Sequence, residues 1–370
     1  MNLVQARALP RFCLTSAAAR SLLALSTPTT EMKGTFTYVL AVRSALRFAT
    51  PTRHTDVRVR LTSMIEVARL SAFLKLGRPH FLIGGLLLFA LGSTLATADG
   101  GGIDWPRYVW GQITITAAQW MTHYSNDYFD LEADRANSTP TRWSGGSRVL
   151  VNGTVAPRAA LVASAVLGTA AMVAACILAA RPDSPPLVLP LASLIVVLSW
   201  CYSSPPLRLL SRGLGEATTV CVVTLLTPLL GFYLQSAALH PLLFLACFPL
   251  CCLQFSMLLT IELPDAAGDA AHGKRTLVVR RGAEWAARCS AAILVVTFGS
   301  LPILFLLGLP PLIALFAALP APLGFWQAIR LWRGAFRDPK QWESLALCSV
   351  ALLATTTVAE LIAVALTTAG

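Results

Sequence analysis

Two groups of acidic residues in this sequence share one spacing. In the first, Asn126, Asp130 and Asp134 stand at i, i+4 and i+8, with Asp127 and Glu132 among them. A helix running through them would carry the three on one face, with Asp127 flanking it and Glu132 pointing elsewhere. In the second, Asp265 and Asp269 are again one helical turn apart, and Glu262 precedes them by nearly one more. Two carboxylate-bearing helix ends that face each other across a cavity repel, and a cation between them relieves the repulsion. Oxygen-only ligands suit Mg²⁺, which takes one or two carboxylates per ion, keeps some water and completes its octahedron with phosphate oxygens. The pattern therefore points to a diphosphate substrate.

Basic residues follow each acidic group: Arg142 and Arg148 after the first, Lys274 and Arg275 after the second. They can reach phosphate oxygens as charge-assisted donors. The run Ser144-Gly145-Gly146-Ser147 would let backbone N–H groups approach the same anion. The plainer alternative is a set of solvated helix ends at a membrane border, because an acid near the interface costs little. Two groups with the same spacing, each followed by basic and Gly residues, argue against it.

The elements that must position these residues are apolar. The chain has 370 residues, 55% hydrophobic and 13% charged, against roughly 25% charged in soluble domains. Nine runs approach the ~20 residues that a bilayer-spanning helix needs: 80–98, 107–126, 159–180, 186–204, 215–236, 241–262, 289–308, 310–328 and 345–368. The expected fold class is all-α, a polytopic membrane protein of about nine transmembrane helices bundled around a central cavity.

Charge supports that count. Twelve Lys and Arg precede the first run, fifteen lie in the loops after even-numbered runs, and only Arg107 and Arg181 lie in the alternate loops. By the positive-inside rule the N-terminus and both acidic groups face the cytoplasm. The net charge of +11 thus reads as topology, not as a nucleic-acid surface, and no protein partner is expected. The nine cysteines show no C-x-x-C or Cys/His spacing, so they read as small buried hydrophobes. Residues 1–63 form a basic N-terminal extension rich in Ser, Thr and Ala, resembling a transit peptide or an over-called start at a true Met64; residues 64–370 form the transmembrane domain. A bacterial plasma membrane fits the second case, an organelle membrane the first.

These residues resemble the UbiA superfamily of intramembrane prenyltransferases. Asn126-Asp127-Tyr128-Phe129-Asp130-Leu131-Glu132-Ala133-Asp134 fits N-D-x-x-D-x-x-x-D, and Asp265-Ala266-Ala267-Gly268-Asp269 fits D-x-x-x-D. Gly273-Lys274-Arg275-Thr276-Leu277, Arg78-Pro79, the Tyr202 to Leu209 segment and Arg212-Gly213-Leu214-Gly215-Glu216 are similar to further family segments, in order. The resemblance implies Mg²⁺ held between the two Asp motifs and a prenyl diphosphate that ionises to an allylic cation, which an electron-rich ring attacks. On that reading Asn126, Asp127, Asp130, Asp134, Asp265 and Asp269 bind the metal, directly or through water. Arg78, Arg148 and Lys274 clamp the diphosphate, although each could equally be a topology signal. Tyr202 would shield the cation and Glu216 orient the acceptor, against the plainer roles of interfacial anchor and helix-start acid.

For the acceptor, Trp143-Ser144-Gly145-Gly146-Ser147-Arg148 and Arg-Gly-Leu-Gly-Glu are closest to the 1,4-dihydroxy-2-naphthoate polyprenyltransferases of menaquinone synthesis. One departure stands out: those enzymes carry N-x-R-D where this chain has Glu262-Leu263-Pro264-Asp265. Another phenol, or a glycerol phosphate lipid, is the alternative acceptor. A transporter would need midplane acids and inverted repeats, and a scaffold would not need intact ligands. His123 is a candidate substrate or carboxylate contact, Glu360 an intramembrane acid without a motif, and Pro228 and Pro249 are expected kinks.

Overall fold

The computed structural model describes residue 67, residues 70–98 and residues 101–369; the expectation for residues 1–63 lies outside them. Every element among the described residues is helical. In chain order they are α1 (Leu70–Leu76), α2 (Pro79–Leu95), α3 (Trp105–Phe129), α4 (Leu131–Ala136), α5 (Pro157–Ala179), α6 (Val188–Cys201) and α7 (Gly215–Ser236). There follow α8 (Pro241–Ile261), α9 (Ala266–Ala271), α10 (Leu277–Arg281), α11 (Ala283–Leu306), α12 (Pro311–Ala318), α13 (Ala321–Trp332) and α14 (Pro339–Ala369).

Each of the nine expected runs is helical, but fewer qualify as crossings by length and composition. Five helices do so alone, or up to seven if α1 with α2, bent by 51°, and α12 with α13, bent by 43°, each count as one span. The shortfall has two causes. α6 has only 14 residues, and α3 is long enough but interrupts its apolar face with Gln112, Gln119, His123 and Asn126. Exposed Val162, Val166, Val173, Ile303, Leu307, Leu315, Leu319 and Leu366 turn outward from the bundle, as a lipid-facing surface requires. The protein is an integral membrane protein.

Small residues set the spacing inside. Apolar attraction between helices is absent in lipid, so close backbone packing must hold them. α2 crosses α7 where a Cβ on Gly92 would stand 1.9 Å from the carbonyl oxygen of Pro228, and one on Gly231 would stand 2.5 Å from that of Phe89. α3 lies on α5 through buried Ala117, Ala118, Ala171, Ala174 and Ala175.

Helix α7 accommodates Pro228 by a local change of winding. Pro228 removes an N–H from α7, and the helix answers with a wider π segment over Val220–Leu226 just before it. Thr227 Oγ1 donates to the carbonyl of Val222 at 2.8 Å, and Cys251 Sγ of α8 donates to that of Thr224 at 3.7 Å. Such side-chain donors re-satisfy carbonyls that proline frees. Pro249 sits within α8. An apolar groove of about 550 Å³, lined by Phe316, Leu323, Ala354 and Ile362 among others, opens between α12, α13 and α14, away from the acidic residues.

Candidate active site

α3 ends at Phe129, and Asp130 has a φ of −97° and ψ of 3°. The hydrogen-bond ladder continues through that bend, with Asp130 N–H donating to Asn126 and Asp134 N–H to Asp130, each at 2.9 Å. Asn126, Asp130 and Asp134 therefore keep one face, as the spacing predicts. Asn126 Nδ2 donates to Asp130 Oδ2 at 2.6 Å and to Ser203 Oγ at 2.9 Å, tying the first motif to the loop after α6. α4 packs against α9, which brings the second motif opposite the first.

One ammonium joins the two motifs. Lys274 Nζ lies 3.0 Å from Asp130 Oδ2 and 2.9 Å from Asp269 Oδ1, with all three side chains nearly buried. The backbone after α9 places it there. Gly273, at φ +72°, lets the chain turn back so that its N–H meets Ala270 at 3.2 Å and that of Lys274 meets Asp269 at 2.9 Å, the helix-ending pattern that favours glycine. Burial opposes the ammonium, but Asp130 and Asp269 outweigh it and raise Lys274 above its ordinary pKa.

The other basic residues also face acids. The Arg78 guanidinium pairs with Asp127 from the turn ahead of α2, and Arg148 donates to the backbone carbonyl of Asp134. Both arginines hold left-handed backbone, at φ 45° and 64°, a conformation costing about 1–3 kcal/mol and concentrated at functional sites. The glycine turn does not present its N–H groups to an open anion site as expected. Gly145 N–H donates to Asp265 Oδ2 at 3.0 Å, Ser147 N–H to Asp127 Oδ2 at 3.1 Å, and Ser147 Oγ to the same oxygen. A Cβ on Gly146 would stand 2.0 Å from Asp134 Oδ2. The turn is short enough in side chains to lie across both motifs, and the aspartates take its donors.

Asp265 is further held by Asn137 Nδ2 at 2.6 Å. The negative charge nevertheless exceeds its local compensation. Burial, then the neighbouring Asp127 charge, pushes the Asp134 carboxyl up to about 8. Burial, partly offset by the Gly145 N–H, raises Asp265 to about 6. Burial also raises Asp269.

A divalent ion fits this arrangement in one specific way. No group of three or more His, Cys, Asp or Glu side chains stands ready to enclose a metal among the described residues. Asp130 and Asp269 already converge on one cation, Lys274 Nζ, and at Asp134 burial and the neighbouring carboxylates outweigh the charges of Arg78 and Lys274. That is a set of one or two carboxylates per ion, which Mg²⁺ accepts when water and phosphate supply the rest.

Glu216, in the first turn of α7, is fully buried, and its Oε1 accepts the Leu277 N–H at 2.6 Å. Tyr202 follows α6, and burial raises its phenol above the ordinary value, with the Glu262 charge adding to it. His123 stacks on Phe81 at 5.8 Å, not on a carboxylate. Asn137, Ser147, Ser203 and Glu262 belong to the same polar cluster. Ser147 and Ser203 lie inside recognisable segments, and Glu262 keeps near-helical spacing to Asp265, but nothing in the local sequence singles out Asn137.

The chain belongs to the UbiA prenyltransferase family, which it matches over residues 86–366. It is a prenyltransferase acting on a prenyl diphosphate. Among its relatives, a digeranylgeranylglyceryl phosphate synthase from Natronomonas pharaonis is 28% identical over 272 residues, spanning 73% of this chain and 90% of that one. The enzyme of the same name from Halobacterium salinarum is 30% identical over 256 residues, covering 66% of this chain and 78% of that one. A UbiA homologue from Archaeoglobus fulgidus, solved bound to DMAPP and Mg²⁺, shares the fold with a TM-score of 0.55 at 15% identity, over 78% of this chain and 98% of that one.

Proposed function

We propose that this protein transfers a polyprenyl group from its diphosphate, in a Mg²⁺-dependent reaction, to the ring of 1,4-dihydroxy-2-naphthoate or a close phenolic analogue, with both Asp motifs at the cytoplasmic face. The observation that carries the metal and diphosphate part is the meeting of Asp130 and Asp269 on one cationic centre, Lys274 Nζ. Asn126, Asp130, Asp134, Asp265 and Asp269 hold the ion, directly or through water, and Asp127 keeps Arg78 in place. When bound, Mg²⁺ neutralises charge on the diphosphate and on the carboxylates around it.

The chain's own residues supply the rest. Lys274, Arg78 and Arg148 are the donors within reach of the phosphate oxygens, and an anion entering between them exchanges their present acidic partners for its own oxygens. As the carbon–oxygen bond of the allylic diphosphate breaks, its electron pair leaves with the diphosphate, where these cations stabilise it. Tyr202 and the buried walls around it exclude water from the carbocation. Glu216 orients the acceptor.

The naphthoate reading rests on the segments around Trp143–Arg148 and Arg212–Glu216. A second reading is favoured by similarity to the two archaeal synthases: a glycerophosphate lipid as acceptor, giving an ether. The deciding experiment is transfer of labelled geranylgeranyl or a longer prenyl group in membranes, with both acceptors offered separately, with and without Mg²⁺. Mg²⁺-dependent naphthoate product, lost in Asp130→Ala, is the expected outcome. Product on the glycerophosphate lipid alone replaces the acceptor and retains the diphosphate site.

A further inference from the structure

The apolar groove beside α14 leads to a cation. Its walls are Phe316, Leu319 and Leu323 on one side and Ala354, Val358 and Ile362 on the other. Two features of the chain open it. α12 and α13 are bent by 43° at the break holding Leu319 and Pro320, whereas α14 runs past both as one helix of 31 residues. A bent pair cannot lie flush along a continuous helix, and the small Ala354 and Ala359 on α14 leave the gap unfilled. Among the lining residues only Thr355 has a polar side chain, and its hydroxyl donates to the Ala351 carbonyl at 2.7 Å. The groove therefore suits a hydrocarbon chain.

Arg330 stands at one end of it. Leu323, Trp326 and Arg330 follow one another at helical spacing along α13, as Ser344, Leu347, Ala351 and Thr355 do along α14. The guanidinium joins the two rows: it lies over the Trp326 ring at 4.6 Å, and Nη2 donates to Ser344 Oγ at 2.6 Å. Leu323 is two turns away, about 10 Å along the helix, so the groove lies deeper in the bilayer than the charge.

Neutral groups surround that charge. Besides Ser344, the partners of Arg330 are Gln327 and Gln341, each at 3.4 Å, and no carboxylate pairs with it among the described residues. The acids near its end of the fold are engaged elsewhere. Asp338 accepts the Lys340 N–H at 3.0 Å, Glu343 accepts the Arg142 N–H at 3.0 Å, and Glu284 pairs with Arg288 and Arg337. Arg333, exposed and three residues on, adds a second positive charge. A planar guanidinium with weakly held donors is suited to take a phosphate by two parallel hydrogen bonds.

We propose that the groove between α13 and α14 binds one anionic phospholipid of the surrounding bilayer, with its phosphate on Arg330 and an acyl chain along the groove. The site is separate from the Asp motifs and does not depend on which acceptor is prenylated. Charge selects the headgroup. A zwitterionic lipid brings its own cation toward Arg330 and Arg333, whereas an anionic one leaves its charge to them. The prenyl substrate fits less well, because its diphosphate belongs at the Asp motifs and its tail has no anion to offer Arg330.

Native mass spectrometry of the full-length protein in detergent, titrated with phosphatidylglycerol or with phosphatidylcholine of the same acyl chains, tests the site. Phosphatidylglycerol is expected to bind about fivefold more tightly, the factor that one basic residue near a headgroup supplies. Arg330→Gln should abolish the preference. Arg281→Gln, which removes another arginine over a tryptophan ring, that of Trp285 at 5.7 Å, should keep it. Ala354→Leu, which fills the groove, should weaken both lipids alike. Equal binding of the two lipids by the wild type, or a preference that survives Arg330→Gln, overturns the proposal. Displacement of phosphatidylglycerol by geranylgeranyl diphosphate gives the groove to the substrate tail and also overturns it, as does a dimer that excludes lipid. If Ala354→Leu does not fold, the two arginine variants decide alone, since neither side chain lies in the packed interior.

Discussion

At the scale of single residues, the site is a set of acids that the chain itself partners in part. Lys274 bridges Asp130 and Asp269, Arg78 holds Asp127, and the turn at Gly145 to Ser147 donates to Asp127 and Asp265. Removing one partner of a buried ion pair leaves an uncompensated charge, at a cost of about 3–5 kcal/mol. Lys274→Gln is therefore expected to lower the melting temperature of the detergent-solubilised protein in Mg²⁺-free buffer. Added Mg²⁺ restores it, because the ion replaces the lost cation between Asp130 and Asp269. Thermal unfolding followed with and without Mg²⁺ checks this, and a deficit that Mg²⁺ leaves untouched argues against an ion at those two carboxylates. Both Asp groups were legible in the sequence because their one-turn spacing is a helical signal. The destinations of the basic residues were mostly not, because Arg78 pairs with Asp127 and Lys274 with Asp130 across 49 and 144 residues, and no local pattern records such a pairing. The neutral Asn137, which donates to Asp265 at 2.6 Å from 128 residues away, was hidden for the same reason.

At the scale of elements, the site depends on helices placed by close backbone contact. The crossing of α2 and α7 leaves no room for a side chain at Gly92, where an added Cβ would stand 1.9 Å from the Pro228 carbonyl. Backbone cannot yield there as a flexible side chain could. Gly92→Ala is expected to destabilise the protein by about 1–3 kcal/mol, the usual range for an overfilled interior. Its effect on transfer should follow the folded fraction, since α7 carries Glu216 in its first turn and the whole helix must shift to relieve the clash. Gly84→Ala is the control, with open space around its would-be Cβ, and should leave melting unchanged. Hydropathy located these helices but not their irregularities. The π segment at Val220–Leu226 and the bends flanking α2 and α13 arise from proline and from packing between elements distant in sequence, which a window average does not register. The same averaging explains why α3 is a long helix here and a weak crossing by composition.

At the scale of the whole molecule, charge and chemistry share one side. The described helices place Arg107, with its partners Asp104 and Asp183, at the end of α3 opposite the Asp motifs. Arg330 lies in the last turn of α13 and Arg333, Arg337 and Lys340 come after it, at an end that also carries Trp326 and Trp332, both exposed. Arg330 lies over the Trp326 ring at 4.6 Å and Arg288 over that of Trp332 at 5.9 Å. Amphipathic rings beside cations belong at a headgroup layer. On the orientation proposed above, this layer and the loops carrying Asp134 and Lys274 face the cytoplasm. A cysteine at exposed Lys340 and one at exposed Ala238, each in a background lacking the native cysteines, test that assignment in intact cells. A membrane-impermeant maleimide should label the Ala238→Cys protein from outside and the Lys340→Cys protein only after the membrane is opened. The reverse pattern would put both Asp motifs on the outer face, where a diphosphate made in the cytoplasm could not reach Lys274 without crossing the bilayer. Labelling of both positions from outside would mean that α8 to α13 make an even number of crossings between Ala238 and Lys340, as they would if the bent pair α12 and α13 turns back instead of spanning.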